Sequence, residues 1–167
     1  HVYYGNIVYK VGNHPQASQR CYPIYAQNDY ELNGVKYIVE NMFLDVEEMG
    51  GPPFNFHAYT EGGFISGFHI EKNILRQGRF LLGGRGVPHH HNVIRENYFY
   101  NHSVEAAYAR PTQTYVQNNY LGRSFLKVDF FWGEDDTLYT KALPNLYTGN
   151  EIHRPAGNSV FFRTAAY

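Results

Sequence analysis

Ile94-Arg-Glu-Asn97-Tyr-Phe-Tyr100 is the stretch on which the fold turns. An apolar residue, two variable polar positions and an asparagine precede a short apolar run. The same order recurs as Tyr3-Tyr-Gly-Asn6 before Ile-Val-Tyr, as Ile38-Val-Glu-Asn41 before Met-Phe-Leu, and as Ile70-Glu-Lys-Asn73 before Ile-Leu. It recurs again as Val116-Gln-Asn-Asn119 before Tyr-Leu, and in degenerate form as Tyr147-Thr-Gly-Asn150 before Glu-Ile. Successive asparagines are 35, 32, 24, 22 and 31 residues apart, so the base period is 22–24 residues with insertions in some copies. A fixed motif at such a period is the mark of a repeat architecture.

Between the motifs lies a second apolar stretch per repeat, at 22–27, 54–59, 79–83, 104–110, 125–131 and 159–163. Phe54, Phe56 and Ala58 alternate with Asn55, His57 and Tyr59, which is a strand period. Glycine and proline clusters such as Gly50-Gly-Pro-Pro53 and Gly83-Gly-Arg-Gly86 punctuate the joins. A unit this short cannot bury its own apolar face, and stacking of copies supplies the missing contacts. The expected fold is therefore all-β, a right-handed parallel β-helix (a solenoid) of about six coils forming one domain over residues 1–167. Asn6, Asn41, Asn73, Asn97, Asn119 and Asn150 then fall above one another as a hydrogen-bonded ladder. Loss of one rung should cost about 1–3 kcal/mol, because its partners stay buried and unpaired.

These segments, with Tyr25-Ala-Gln-Asn28, Phe56-His-Ala-Tyr59 and Phe68-His-Ile-Glu-Lys-Asn73, resemble the right-handed parallel β-helix superfamily. That superfamily includes pectate and alginate lyases, polygalacturonases and mannuronan epimerases, and the likeness is greatest to an uncharacterised secreted bacterial branch. Members of the branch carry a Gly-His-Gly-Ile-Tyr type strand, where this chain has Cys21-Tyr-Pro-Ile-Tyr25. The resemblance implies an extracellular or cell-surface protein that interacts with polysaccharide. A shared fold leaves activity open.

Composition agrees with strands and turns. Of 167 residues, 16 are Tyr, 12 Phe, 15 Asn and 16 Gly, while only 17% are charged. Such a chain is a poor helix former and too aromatic to be disordered. A net charge of −1 without a basic block argues against a nucleic-acid partner. No apolar run is long enough for a membrane-spanning helix. The single cysteine, Cys21, excludes an intrachain disulfide.

Aligning the coils by their asparagines places Tyr25, Gln27, His57, Tyr59, Arg85, Glu105, Lys127 and Asp129 on one outward stripe. Aromatic faces and charged groups in a row suit an extended sugar chain. Lyase chemistry needs a base, a cation to stabilise a carboxylate, and an acid for the leaving oxygen. His57, Tyr59 and Lys127 are candidates for these roles, with Tyr25, Gln27, Arg85, Glu105 and Asp129 binding substrate. The competing expectation is that these are ordinary solvent-facing strand residues. No cofactor is expected, although Glu134, Asp135 and Asp136 form an acidic turn that could hold a weak Ca²⁺ ion. His89-His-His91 follows Gly-Val-Pro and reads as a turn with exposed imidazoles. The motif begins at once at Asn6, and Ser159-Val-Phe-Phe-Arg163 reads as core strand. The ends are therefore expected to be covered by more of the same chain or by another chain. Two functions follow: a carbohydrate-interacting protein, with lyase-like activity as one form of it, or a non-catalytic structural or accessory subunit of a larger assembly.

Overall fold

The structure is a computed structural model, which describes residues 1–11, 22–28, 34–45, 54–60, 64–84, 89–108, 111–127 and 146–153. Those residues are strands and turns without a helix, so no helix is long and apolar enough to cross a membrane. Each repeat motif yields two strands flanking its asparagine. The strands before it are β1 (Val2–Tyr4), β3 (Lys36–Val39), β6 (Phe68–Glu71), β8 (His89–Arg95), β10 (Pro111–Gln117) and β13 (Leu146–Thr148). Those after it are β2 (Ile7–Tyr9), β4 (Met42–Leu44), β7 (Ile74–Gly84), β9 (Tyr98–Tyr108), β11 (Tyr120–Gly122) and β14 (Glu151–His153). Two further strands, β5 (Phe54–Thr60) and β12 (Phe125–Lys127), come from the intervening apolar stretches.

The first set forms one sheet in the order β1-β3-β6-β8-β10-β13. The second forms β14-β11-β9-β7-β4-β2, with β5 on the distal half of β7 and β12 on that of β9. Every pairing between named strands is parallel. Neither sheet closes on itself; β1 and β13 edge the first, β2 and β14 the second. This is an all-β architecture consistent with a β-solenoid.

Parallel register stacks like on like. Tyr3, Ile38, Ile70, Ile94, Val116 and Tyr147 occupy one register column. Val8, Phe43, Leu75, Phe99, Leu121 and Ile152 occupy a second. Phe56, Phe80, Val104 and Leu126 make a third, in which the Phe56 and Phe80 rings stack at 4.8 Å. All three columns point inward and merge into one apolar core. Interior packing of this density is why a lost aromatic side chain typically costs about 3–5 kcal/mol.

The corners explain how the chain turns without helices. The residue before each motif asparagine lies in the left-handed region: Gly5, Glu40, Lys72, Glu96, Asn118 and Gly149, with φ between 53° and 67°. Lys10, Asp45, Gln77, Asn101 and Arg123 repeat this at the next corner, and Gly34, Gly67, His91 and Gln113 at a third. Non-glycine residues pay roughly 1–2 kcal/mol for that conformation, so the surrounding hydrogen bonds must hold it.

The motif asparagines supply many of those bonds. Asn6, Asn41, Asn73, Asn97 and Asn119 each donate a backbone N–H and a side-chain Nδ2–H to the Oδ1 of the next asparagine, at 2.9–3.1 Å. Nδ2 also donates to backbone carbonyls, as from Asn97 to Ile70 at 2.8 Å and from Asn73 to Ile38 at 2.8 Å. A carboxamide carries both donor and acceptor and so can pass bonds along in one direction. Asn92 works similarly at the third corner, accepting from the Phe68 N–H and donating to the Ile65 carbonyl.

Candidate functional site

Tyr25, His57, Leu81, Glu105 and Lys127 share one register column on the third strip of strands. Four of these five are stripe residues expected from sequence, and Leu81 is the fifth. The column does not form an open groove. His57 is 8% exposed and Glu105 3% exposed, whereas a solvent-facing stripe was expected. The Tyr22 ring lies edge-on to His57 at 4.5 Å and the Tyr25 ring at 5.3 Å, so aromatic rings cover the imidazole. Glu105 receives two hydrogen bonds from Arg79 Nη2, at 2.9 and 3.1 Å. Its charge is therefore matched within the strand layer.

Tyr25 and Gln27 are exposed. Tyr59 lies in β5 opposite Gly83, and Lys127 in β12 opposite Glu105. Arg85, Asp129, Glu134, Asp135 and Asp136 lie outside the described residues, as do Cys21 and the stretch 159–163. The histidine tract is corrected: it begins strand β8 and is not an exposed turn. His89 and His90 are buried, and only His91 is exposed, at a left-handed corner where Nδ1 of His90 approaches its own Nδ1 at 2.6 Å. His89 and His90 both pair with β10, His89 opposite Pro111 and His90 opposite Thr112. Among the described residues, no three His, Cys, Asp or Glu side chains gather as a metal site.

What the structure does assemble is a cavity of about 560 Å³ beside β1 and β3. Its lining includes Tyr25 and Gln27 from the expected stripe, joined by Tyr3, Lys36, Tyr37 and Phe68. Register explains part of the meeting: Tyr3 points inward opposite Ile38, and Lys36 precedes Ile38 by two and so shares its side, while Tyr37, on the other side of β3, borders the cavity from its rim. The Tyr37 ring is steadied by His69, with centroids 5.1 Å apart. His69 in turn contacts Glu71 at 3.2 Å, and Glu71 accepts from Arg95 Nε at 2.9 Å. That carboxylate, by hydrogen bond and charge, holds the Arg95 guanidinium above its ordinary pKa. At Lys36 the direction is opposite: burial pushes the ammonium pKa down.

Lys36, Tyr37, Tyr22 and Arg79 were missed in the sequence. A usable signal existed for Lys36 alone, in its parity with Ile38. Comparison of the chain with protein-family models, curated proteins and solved structures gives no match.

Proposed function

We propose that the chain is a right-handed parallel β-helix of about six coils, its motif asparagines forming one ladder, and that it binds carbohydrate without turning it over. One observation carries this reading. Tyr25 and Gln27 join Tyr3, Tyr37 and Lys36 around a cavity of about 560 Å³, within the usual range of small-ligand sites. Aromatic side chains with a few polar groups suit the apolar faces and hydroxyls of a sugar. The sequence resemblance to secreted polysaccharide-active β-helices favours the same reading and, with it, an extracellular location. Against turnover stands His57, the candidate base, covered by Tyr22 and Tyr25. The test is calorimetric titration with a panel of neutral and uronate oligosaccharides, run alongside absorbance of unsaturated products. Binding without product, weakened at least tenfold by Tyr37→Ala, is the expected result. Absence of binding across the panel would sink the reading; product formation would reinstate the lyase.

A structural or accessory role is the second reading, and the two sheet edges favour it. Among the described residues, Asn6 Oδ1 accepts no hydrogen bond and the Asn150 backbone N–H donates none. Val2 and Ile7 on the β1–β2 edge are 71% and 72% exposed. Open parallel edges invite strand addition by another subunit. Light scattering over a range of concentrations checks it: a constant monomer mass excludes self-assembly through these edges.

A further inference from the structure

We propose that the chain assembles head to tail with further copies of itself, the β1–β2 edge of one copy adding to the β13–β14 edge of the next. The inference rests on the second reading above, the structural role carried by the open sheet edges, and it names the subunit those edges take. The edge strands lack the features that usually keep an edge from pairing. Val2–Tyr4, Ile7–Tyr9 and Leu146–Thr148 hold no charged residue and no proline. Val2, Tyr4, Ile7 and Tyr9 are 57–72% exposed. The inward columns end in Tyr3 and Val8 on one side and Tyr147 and Ile152 on the other, all only partly buried.

The asparagines set what a strand brought to these edges must carry, because their bonds run one way. Each passes its N–H and Nδ2–H to the Oδ1 of the next, so the series ends in an unused acceptor on Asn6 and an unused backbone N–H on Asn150. The preceding residues repeat that polarity. The N–H groups of Gly5, Glu40, Lys72, Glu96 and Asn118 donate to the carbonyls of Val39, Glu71, Arg95, Gln117 and Thr148, while that of Gly149 has no acceptor among the described residues. An arbitrary strand can answer the backbone groups, but it brings no carboxamide oxygen to Asn150. This chain carries one at its opposite edge, in Asn6, and the Tyr4 carbonyl stands to Gly149 as that of Val39 does to Gly5. Continuing the register sets Val2 of the second copy against Leu146, Tyr3 against Tyr147, Val8 against Ile152 and Tyr9 against His153, whose ring already stacks on Tyr120 at 5.0 Å. Apolar meets apolar and ring meets ring; Glu151, the one carboxylate in these strands, meets Ile7. Donor edge and acceptor edge differ, so the contact is heterologous and each addition leaves a new open edge.

Sedimentation velocity over a concentration series tests this on the full chain and on Val8→Lys and Ile152→Lys, which put a charge into the inward column at one edge each. Circular dichroism of the variants checks that they fold. The parent chain should grow past the mass of a dimer without a plateau. Each variant alone should stay monomeric, and an equimolar mixture should form a two-chain species, joined through the one intact edge of each. A parent that plateaus as a dimer, or a variant that dimerises alone, means that like edges pair; that overturns the head-to-tail order and leaves the structural reading standing. A parent that is monomeric throughout overturns the proposal together with self-assembly through these edges. A mixture of folded variants that stays monomeric also overturns it.

Discussion

Asn97 and Lys36 are both polar side chains turned into the molecule, and their surroundings have opposite logic. Around Asn97 every bond is answered. Its Oδ1 accepts from the Asn73 backbone N–H and Nδ2 at 2.9 and 3.0 Å, and its Nδ2 donates to the Ile70 carbonyl and to Asn119 Oδ1. Around Lys36 the ammonium lies over the Phe68 ring, 5.1 Å from its centroid, with no hydrogen-bond partner among the described residues. Burial alone therefore does not distinguish a satisfied polar group from an unsatisfied one. The count of satisfied donors and acceptors does.

That contrast can be broken by substitution. Asn97→Ala should lower unfolding free energy by about 1–3 kcal/mol, since it strands the donors of Asn73 and the carbonyl of Ile70. Asn101→Ala, at an exposed corner, should cost less than about 1 kcal/mol. Urea denaturation of the two variants checks this, and coincident midpoints would mean that the asparagine bonds do not support the fold. Arg79→Ala comes next, at about 2–3 kcal/mol, because it leaves Glu105 buried beside a lost partner. Glu105→Ala should cost less, as the Arg79 side chain is partly exposed and can reach water. Equal losses in the same denaturation assay would remove burial as the reason for the difference. Lys36→Met should go the other way, raising ligand-free stability by about 1 kcal/mol through removal of an unpaired ammonium. A loss of stability would show that Lys36 is satisfied after all.

The smallest effect is in pH. Burial depresses the folded-state pKa of Lys36 below the ordinary lysine value of about 10.4. Below the depressed value both folded and unfolded states carry the proton, and the penalty is fully present. Between the two values the unfolded state binds more protons, so stability rises with pH. The gap between the unsubstituted chain and Lys36→Met should therefore narrow as pH climbs from neutrality toward about 10. A gap independent of pH over that window would assign the difference to packing.

The parallel, all-strand character was legible because two periods coincide in each motif. Alternation marks Ile38, Ile70, Ile94 and Val116 as inward, and the asparagine three residues later fixes how copies align. The same alignment put Tyr25, His57, Glu105 and Lys127 into one register column. It could not say that His57 and Glu105 are buried, because alternation reports the side of a sheet and nothing about what lies over it. Tyr22 reaches His57 from another repeat, and Arg79 reaches Glu105 across strands 26 residues apart. Neither contact has a local signature. His89 and His90 were misread for a related reason: the preceding Gly-Val-Pro suggested a turn, while the ladder to β10 decides the strand. Lys36 was overlooked because lysine is habitually assigned to solvent, although its parity with Ile38 pointed inward.

Hydrogen-bonded asparagines in neighbouring strand layers are separated by as few as 22 and as many as 35 residues, with nearly the same bond lengths. The bonding unit thus tolerates a difference of over a dozen residues in the length of chain between one asparagine and the next. Foreign peptides spliced between successive motifs, rather than into the short corners, should leave the asparagine bonds intact, which suits the chain to displaying several grafted segments on one pair of parallel sheets.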